Sequence, residues 1–376
     1  MPGRNIHADQ NGDSITIVHC ADVHLETAFT EVRGGARRRA ALADAFERVV
    51  DLALERRAAA LTIGGDLYEA ERAGPQTARF VFAQLARFGR PVFVAPGNHD
   101  PYSARALYAR DDLPANVRVF AEPAWAPYPL TDEVTIYGFG HAPAEPGRPF
   151  AGARFERPGT RLALVHGSDE DRCPPGKRPT APFTLAEIVA SGATCALAGH
   201  YHGGAVVSDA AGPRLAYPGS PEPIKFGERG SHGALVVTVA GGRVATEPVE
   251  LARTRLVDLD VSLDDAASEH AVLAALETAL TPYDRDDFLR VRLHGTVAPG
   301  TRIDRDLIAD RFGGSLGALE LTDVTVSADY AAIAREPNVR GRAVADLLQQ
   351  AEDGDEDARA ALRYAVAAFA GSELRP

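Results

Sequence analysis

The chain has 376 residues, of which 45% are hydrophobic and 24% are charged. That length and composition suffice for a substantial buried core and predict two or three domains. The net charge of −12 argues against a protein that coats nucleic acid through its overall charge, but a local basic groove stays open, since the field at a site attracts a polyanion.

Between residues 15 and 250, β-branched runs alternate with helix-like segments, which is typical of an α/β fold. Residues 36–57 have apolar positions spaced three and four apart and predict an amphipathic helix. Helices are also expected at 75–89 and 101–110. Core packing and a homodimer seam explain their apolar faces equally well.

A further helix is predicted to begin at Thr184, because Thr184 and Glu187 have the spacing of a capping box. After it, residues 233–251 predict two strands joined by a Gly-Gly turn. A second unit is predicted from about residue 255, since strand-like segments surround one helix-like segment. Its last part is helical with an acidic interruption and predicts either a docking element or a partner-binding helix.

Two early hydrophobic runs end in residues that bind metal ions. Asp22 and His24 follow the first run. They are two positions apart, so in an extended chain their side chains point to the same side. Asp66 follows a Gly-Gly pair, which lets the backbone come close to the site.

Three later runs end in the same way. Asn98 offers a neutral amide oxygen after a Pro-Gly turn, and His166 ends a buried run. His200 and His202 follow another run, again two positions apart. Because ligands of open α/β sheets bind outside the carboxyl ends of the strands, we expect all these side chains to converge there.

The ligand inventory of imidazole, carboxylate and amide contains no thiolate, which suits manganese, iron or zinc. Its oxygen content favours Mn²⁺. Two such ions, about 3.5–4 Å apart, would clamp a phosphate and support its hydrolysis. Asp66 is the natural bridge because its carboxylate has two oxygens. The sequence therefore predicts a two-metal site that cleaves phosphoesters.

His99 is interpreted as a catalytic acid rather than a ligand. An imidazole can donate a proton to a leaving alkoxide near neutral pH. Asp100 is expected to orient that imidazole or to raise its pKa. The residues that bind the substrate stay unassigned.

The ordered motifs DxH, GGD, GNHD, a lone histidine after an apolar strand, and GHxH resemble those of the calcineurin-like metallophosphoesterases over about residues 15–250. The resemblance implies a four-layer α/β/β/α sandwich with a small α+β C-terminal cap domain and terminal helices. It implies a catalytic role for His99. It also implies one ligand set for each ion, bridged by Asp66: Asp22, His24 and His202 for one, and Asn98, His166 and His200 for the other.

The finer resemblance is to SbcD-type DNA repair exonucleases, carried by IVHCADVHLET and YPGSPEPIKFGERGSHGALVV. It implies hydrolysis of DNA, a DNA-binding cap, terminal helices that bind an SbcC-like coiled-coil ATPase, and a possible homodimer. The expected domains are a phosphoesterase domain at 1–252, a capping and DNA-binding domain at 253–332, and a partner-binding helical segment at 333–376.

Glu69 is a departure from this pattern, since the well-studied repair nucleases usually carry a histidine three residues after the bridging aspartate. It resembles the YhaO-like branch and puts strong exonuclease activity on duplex ends in question. A stand-alone phosphoesterase acting on a cyclic nucleotide or phosphomonoester is the alternative function. A scaffolding subunit with a vestigial site is a third, which the complete ligand set disfavours.

The remaining features concern basic residues near the site and the cellular compartment of the protein. Residues 37–39, all arginine, and the pair Lys225 and Arg229 fit either phosphate contact or a solvated surface. Three widely spaced cysteines without a CxxC pair predict a reducing cytoplasm. The polar N-terminus lacks the apolar core of a signal peptide, and no apolar stretch approaches the roughly 20 residues that span a bilayer, so no membrane association is expected.

Overall fold

The computed structural model of the chain describes residues 14–29, 34–143, 147–228, 230–264 and 266–369. The polar N-terminal residues 1–13 and Arg229 lie outside the described residues. The chain divides into two compact units, 1–254 and 255–376. Among the helices of the described segments, none has the length and apolar character needed to cross a membrane.

The first unit has two six-stranded sheets. Its elements are β1 (Ser14–Cys20), α1 (Gly35–Glu55), β2 (Ala60–Ile63), α2 (Pro75–Phe88), β3 (Val92–Val94), β4 (Val117–Val119), β5 (Ala126–Pro129), β6 (Val134–Phe139), β7 (Thr160–His166), α3 (Leu185–Ser191), β8 (Cys195–Gly199), β9 (Ala205–Asp209), β10 (Gly212–Tyr217), β11 (Gly233–Ala240) and β12 (Arg243–Glu250). The strand orders are β12-β11-β1-β2-β3-β4 and β5-β6-β7-β8-β10-β9. In the first sheet β1 to β4 run parallel, and in the second β6, β7, β8 and β10 do.

One apolar core lies between the two sheets. Ile17 and Phe93 of the first sheet share it with Ile136, Leu164 and Leu197 of the second, and all five are fully buried. Helices α1 and α2 pack together beside the first sheet, and α3 packs against β10 of the second. The predicted α/β sandwich is therefore confirmed.

Local sequence signals correctly predicted several elements. The hydroxyl of Thr184 accepts the N–H of Glu187 at 3.2 Å, and the Glu187 carboxylate accepts the N–H of Thr184 at 2.9 Å, which is the expected capping box at α3. Strands β11 and β12 meet at Gly241 and Gly242, whose φ angles of 53° and 75° suit a two-residue hairpin turn.

The expected helix at 101–110 is wrong. This segment has only a 3₁₀ turn, Leu107–Ala109. The Tyr108 hydroxyl donates to the Asp100 carboxylate at 2.6 Å, and the N–H of Leu107 donates to the Tyr68 hydroxyl at 3.0 Å. These tertiary bonds override the helical preference. The side chains of Leu107 and Tyr108 are buried in the first unit and are not available to a second copy.

The second unit contains a three-stranded and a two-stranded parallel sheet and a helical cluster. Its elements are β13 (Arg255–Ser262), α4 (Glu269–Leu280), β14 (Asp287–His294), β15 (Thr296–Val297), α5 (Arg305–Phe312), β16 (Ala318–Asp323), β17 (Val326–Ser327), α6 (Tyr330–Ala334), α7 (Val339–Glu352) and α8 (Glu356–Phe369). Strands β13, β14 and β16 form the larger sheet, and β15 and β17 form the smaller one. The apolar core at the larger sheet includes Leu276 and Val291. Helices α6 to α8 form a separate apolar cluster around Val344 and Leu362.

A buried ion pair joins helix α1 to the last residues of the first unit. Arg38, fully buried in α1, bonds the hydroxyl of Thr254 and the carbonyl of Pro223, and its Nη1 lies 3.7 Å from the buried Glu222 carboxylate. Arg48 donates to the same carboxylate at 2.9 Å. Both sequence interpretations of Arg38, phosphate contact and solvated helix face, are therefore wrong.

Substituting Arg38→Met should lower the free energy of unfolding of the first unit by about 3–5 kcal/mol, because it leaves the Glu222 carboxylate buried beside one cation fewer. Urea unfolding followed by the fluorescence of Trp125, the single tryptophan, measures this change. The control Arg79→Met, on an exposed site of α2, should stay within about 0.5 kcal/mol. A loss below about 1 kcal/mol in Arg38→Met would contradict the assigned role.

Candidate metal centre

The residues expected to bind metal ions follow the carboxyl ends of parallel strands in both sheets. β1 leads into Asp22 and His24, β2 into Asp66 and β3 into Asn98, whereas β7 and β8 lead into the other three histidine candidates. Hydrogen bonds join the residues of the two sheets, since the N–H of His200 donates to both carboxylate oxygens of Asp22 at 3.0 and 2.9 Å. The sheet edges therefore meet at one cluster.

One part of the cluster joins the first and last motifs. Asp22, His24 and His202 each offer a ligand atom within 4.8 Å of the others. His24 Nε2 lies 4.0 Å from Asp22 Oδ1 and 3.6 Å from Asp66 Oδ2. The grouping matches the first of the two ligand sets that the sequence resemblance implies.

A second part of the cluster approaches the same oxygen of Asp66, Oδ2. His166 Nε2 is 3.2 Å from Asp66 Oδ2 and 3.0 Å from Asn98 Oδ1. The rings of His166 and His200 have centroids 5.3 Å apart. Asp66 therefore faces both groups of residues, as a bridging ligand would.

The hydrogen bonds on the outer side of the cluster leave the inner ring nitrogens of two histidines as acceptors that face the other ligand atoms. His166 Nδ1 lies 2.8 Å from the carbonyl of Gly64 and must donate to it, so in the neutral ring Nε2 carries a lone pair beside two oxygens. His24 Nε2 is buried with no hydrogen-bond partner. When both rings are neutral, these lone pairs face one another without a donor, which suits a cation, so the residues fit a metal centre.

The charges of the cluster shift several pKa values. Burial opposes protonation of His166, but Asp66 and Asp22 outweigh it and raise the pKa of His166 to about 9. Burial also raises the pKa of Asp22. For Asp66, burial acts upward, but His166 and His24 lower its pKa well below the usual range. Burial, with His166 nearby, lowers the pKa of His200 to about 3.

Backbone strain is concentrated at this cluster. Of eight non-glycine residues with positive φ in the described part of the chain, four are candidate ligands: Asp22, His24, Asp66 and His200, at 55°, 51°, 53° and 118°. Such conformations cost of order 1–3 kcal/mol each and persist where surrounding bonds enforce them. At Gly97 a Cβ would lie 2.2 Å from Asp66 Oδ1, so only glycine allows this approach.

Two carboxylates that bond the cluster histidines received no such role in the sequence interpretation. Glu69 places one oxygen 2.8 Å from His24 Nδ1, and Glu228 lies 2.5 Å from His202 Nδ1. Glu228 also accepts the N–H of Ile224 at 2.8 Å. The sequence offers no local signal for Glu228, since 26 positions separate it from His202.

The expected partner of His99 is corrected. Asp100 does not bond the His99 ring. It is buried and accepts N–H bonds from Asp66, Leu67 and Gly97 at 3.0, 2.8 and 2.6 Å. Backbone donors and the Tyr108 hydroxyl thus satisfy its oxygens, and it shapes the turn that presents Asp66.

Glu69 bonds the His99 ring, which is the role that was expected for Asp100. Its second oxygen lies 2.8 Å from His99 Nδ1, and this hydrogen bond is the main cause that raises the pKa of His99 to about 8. His99 is 44% exposed at its side chain. It borders the cluster, with its ring centroid 4.7 Å from that of His24.

Comparison with known protein families agrees with this arrangement. The calcineurin-like phosphoesterase family matches residues 15–203, which span half of the chain and every candidate ligand. The chain belongs to this family. Members of this metallophosphoesterase family bind divalent metal ions through histidine and aspartate side chains. Membership of the family also supports a hydrolase function.

Relatives of this calcineurin-like phosphoesterase include a metallophosphoesterase and a DNA repair protein. The chain is 26% identical over 248 residues to the uncharacterized metallophosphoesterase YhaO of Bacillus subtilis (strain 168), covering 62% of this chain and 59% of that protein. It is 28% identical over 304 residues to the DNA double-strand break repair protein Mre11 of Aeropyrum pernix, covering 74% and 72%. A dimetal phosphatase structure from Danio rerio aligns with TM-score 0.42 and 12% identity, covering 63% and 97%.

A cavity of about 430 Å³ opens beside the cluster of this phosphoesterase. Its lining includes Asn98 and His141 together with Arg148, Arg178 and several prolines and alanines. His141 is held by a bond from its Nε2 to the carbonyl of His166 at 2.8 Å. The volume lies in the range of small-ligand sites.

Two Mn²⁺ ions should bind each wild-type chain, and Asp66→Ala should retain fewer than one, because Asp66 faces both ligand sets. Elemental analysis after equilibrium dialysis against Mn²⁺ measures this ratio. Asp44→Asn, on the exposed face of α1, serves as the control and should keep two. Full occupancy in Asp66→Ala would refute the bridging position.

Proposed function

We propose that this protein hydrolyses phosphodiester bonds of DNA with two divalent metal ions, most suitably Mn²⁺, bound at the carboxyl ends of the strands. The observation that carries the proposal is that Asp66 Oδ2 lies close to histidines of both ligand groups, 3.6 Å from His24 Nε2 and 3.2 Å from His166 Nε2, with His99 at the edge of the cluster. The Mre11 name of the Aeropyrum pernix relative supports DNA as the substrate class.

Each ion has a proposed set of ligands. Asp22, His24 and His202 would hold one ion, and Asn98, His166 and His200 would hold the other, with Asp66 shared. The oxygen-rich inventory supports Mn²⁺, with iron or zinc as substitutes. When bound, the ions supply positive charge that polarises the phosphate and offsets the charge of the transition state.

The chain's own contribution to the reaction is positioning and proton transfer. Water forms a bond to phosphorus and releases a proton to solvent, the bond from phosphorus to the leaving oxygen breaks, and that oxygen takes a proton. His99 is the proposed donor, because its ring is accessible and Glu69 holds Nδ1, leaving Nε2 to face the substrate. Asp100 contributes by shaping the backbone beneath Asp66.

The second unit would serve DNA binding and partner binding. In this proposal its sheet domain caps the DNA, and its terminal helices bind an SbcC-like coiled-coil ATPase. The described helices carry large apolar side chains in solvent, including Val339, Tyr364 and Phe369 at 77%, 48% and 48% exposure, which supports a protein partner. A homodimer and a cytoplasmic location stay predictions; three unpaired cysteines suit a reducing compartment.

The alternative function is hydrolysis of a small phosphoester by the isolated protein. The cavity of about 430 Å³ beside Asn98 favours it, because that volume accommodates a nucleotide-sized group. Turnover of DNA, a cyclic nucleotide and bis-p-nitrophenyl phosphate under one Mn²⁺ concentration separates the two functions. Faster turnover of the cyclic nucleotide than of DNA would favour the alternative.

His99→Ala should lower the rate of DNA cleavage by about 10²–10⁴-fold while the Mn²⁺ content stays at the wild-type level, because the acid is lost but no ligand is. A single-turnover assay with parallel metal analysis measures both quantities. His270→Ala, an exposed histidine in α4, is the control. Wild-type cleavage by His99→Ala would refute the acid role.

A further inference from the structure

A second cavity of the first unit lies at the opposite end of the sandwich from the metal centre. Its volume is about 360 Å³, and Arg161, Arg214 and Arg243 line it together with Thr194 and several glycines and alanines. We call it the arginine pocket. It lies at the amino end of β7, whereas the metal centre lies at the carboxyl end. Since seven residues of an extended strand separate the two ends, the distance along β7 is about 20 Å.

The topology of the two sheets brings the three arginines to this pocket. Arg161 is the second residue of β7, Arg214 lies in β10, and Arg243 begins β12 directly after the Gly241–Gly242 turn. Strand β8 pairs in parallel with both β7 and β10, and β10 contacts β12 of the other sheet. Three positive charges from distant parts of the chain therefore share one cavity.

Backbone carbonyls hold the guanidinium group of Arg161 in place. Its Nε donates to the carbonyl of Gly192 at 2.6 Å, and its Nη1 donates to the carbonyl of Arg157 at 3.1 Å. Its Nη2 makes no hydrogen bond within the described part of the chain. Because carbonyl groups carry no net charge, these bonds fix the orientation of the side chain without neutralising it.

The other two arginines also keep donors for a ligand. Arg214 donates from Nε to the Asp209 carboxylate at 2.7 Å and from Nη1 to the carbonyl of Thr194 at 3.3 Å, and its Nη2 bonds none of the described residues. The guanidinium group of Arg243 is exposed and has neither a hydrogen bond nor an ion pair to any described residue. Each arginine of the pocket therefore retains at least one unused N–H group.

The charges of the arginine pocket are only partly balanced. Asp209 is the one carboxylate among the described residues that bonds any of the three guanidinium groups. The chain as a whole carries a formal net charge of −12, so its overall field repels anions. An anion that binds here must therefore be attracted by the local arrangement of the arginines.

We propose that the arginine pocket binds a small oligophosphate anion. Guanidinium groups bind phosphate oxygens through paired N–H donors, and a chain of two or three phosphates can reach several arginines at once. The volume lies in the range of small-ligand sites. Among the described residues, the lining includes no aromatic ring to stack on a base and no carboxylate to repel phosphate. The anion itself is thus the recognised group, and the inference does not depend on the proposed function.

Titration calorimetry of the full chain with sodium tripolyphosphate, without added metal ions, tests the site. Arg243→Gln should weaken binding by about 10-fold or more, because it removes one charged donor without breaking a side-chain bond to any described residue. The control Arg79→Gln, on the exposed side of α2, should bind as the wild type does. Absence of binding to the wild type at millimolar concentration, or equal affinities of Arg243→Gln and wild type, would overturn the proposal. An equal loss in Arg79→Gln would overturn it as well.

A substitution at Asp209 should act in the opposite direction. Asp209→Asn removes the negative charge beside Arg214 and keeps an acceptor for the N–H of Ala211, which Asp209 binds at 2.7 Å. Tripolyphosphate should then bind about 3-fold more tightly or better at low ionic strength, since one repulsive charge is gone. The same calorimetric titration measures this change. Unchanged or weaker binding by Asp209→Asn would contradict the electrostatic basis of the site.

Two further ligands decide the class of anion. Orthophosphate should bind about 10-fold more weakly than tripolyphosphate, because one phosphate forms fewer charged hydrogen bonds. Equal affinities would overturn the assignment to an oligophosphate. Arg243→Gln should leave the affinity for a duplex oligonucleotide unchanged in fluorescence anisotropy, and a loss as large as that for tripolyphosphate would make the pocket a DNA contact instead. If the wild type cleaves no phosphodiester, the proposed function fails, whereas the tripolyphosphate titrations still decide this site.

Discussion

The organisation of the site depends on keeping acceptor atoms together. Asp22, Asp66 and the inward nitrogens of His24 and His166 lie within a few ångströms of one another, with distances of 3.2 to 4.0 Å among them. Such groups repel one another and lose hydration, which disfavours the arrangement unless cations or protons offset the charge. Much of the surrounding structure serves to hold them in place.

The support comes from the opposite side of each ligand. Gly64, Glu69 and Glu228 accept the outer N–H of three histidines, and the backbone of His200 donates to Asp22. Positive φ angles at four ligands turn the side chains inward from the strand ends. The rigid sandwich beneath them sustains this strain, because its core between the sheets leaves the strand ends few ways to relax.

Much of this arrangement could be predicted from the sequence because it is local. The motifs sit directly after strands, so the parallel sheet order alone brings them to one edge, and the Thr184 capping box and the Gly-Gly hairpin are short-range signals. The partners of His99 and His202 could not be predicted in this way. Asp100 is adjacent to His99, yet backbone donors occupy it, whereas Glu69 reaches His99 from another loop. The Arg38 contacts also depend on tertiary folding, since Glu222 and Thr254 lie far along the chain.

The central claim is that two ions bind on either side of Asp66. Anomalous diffraction from crystals equilibrated with Mn²⁺ tests it most directly. The account predicts two anomalous peaks that share Asp66, one beside Asp22, His24 and His202 and the other beside Asn98, His166 and His200. A single peak, or peaks that do not contact Asp66, would contradict it.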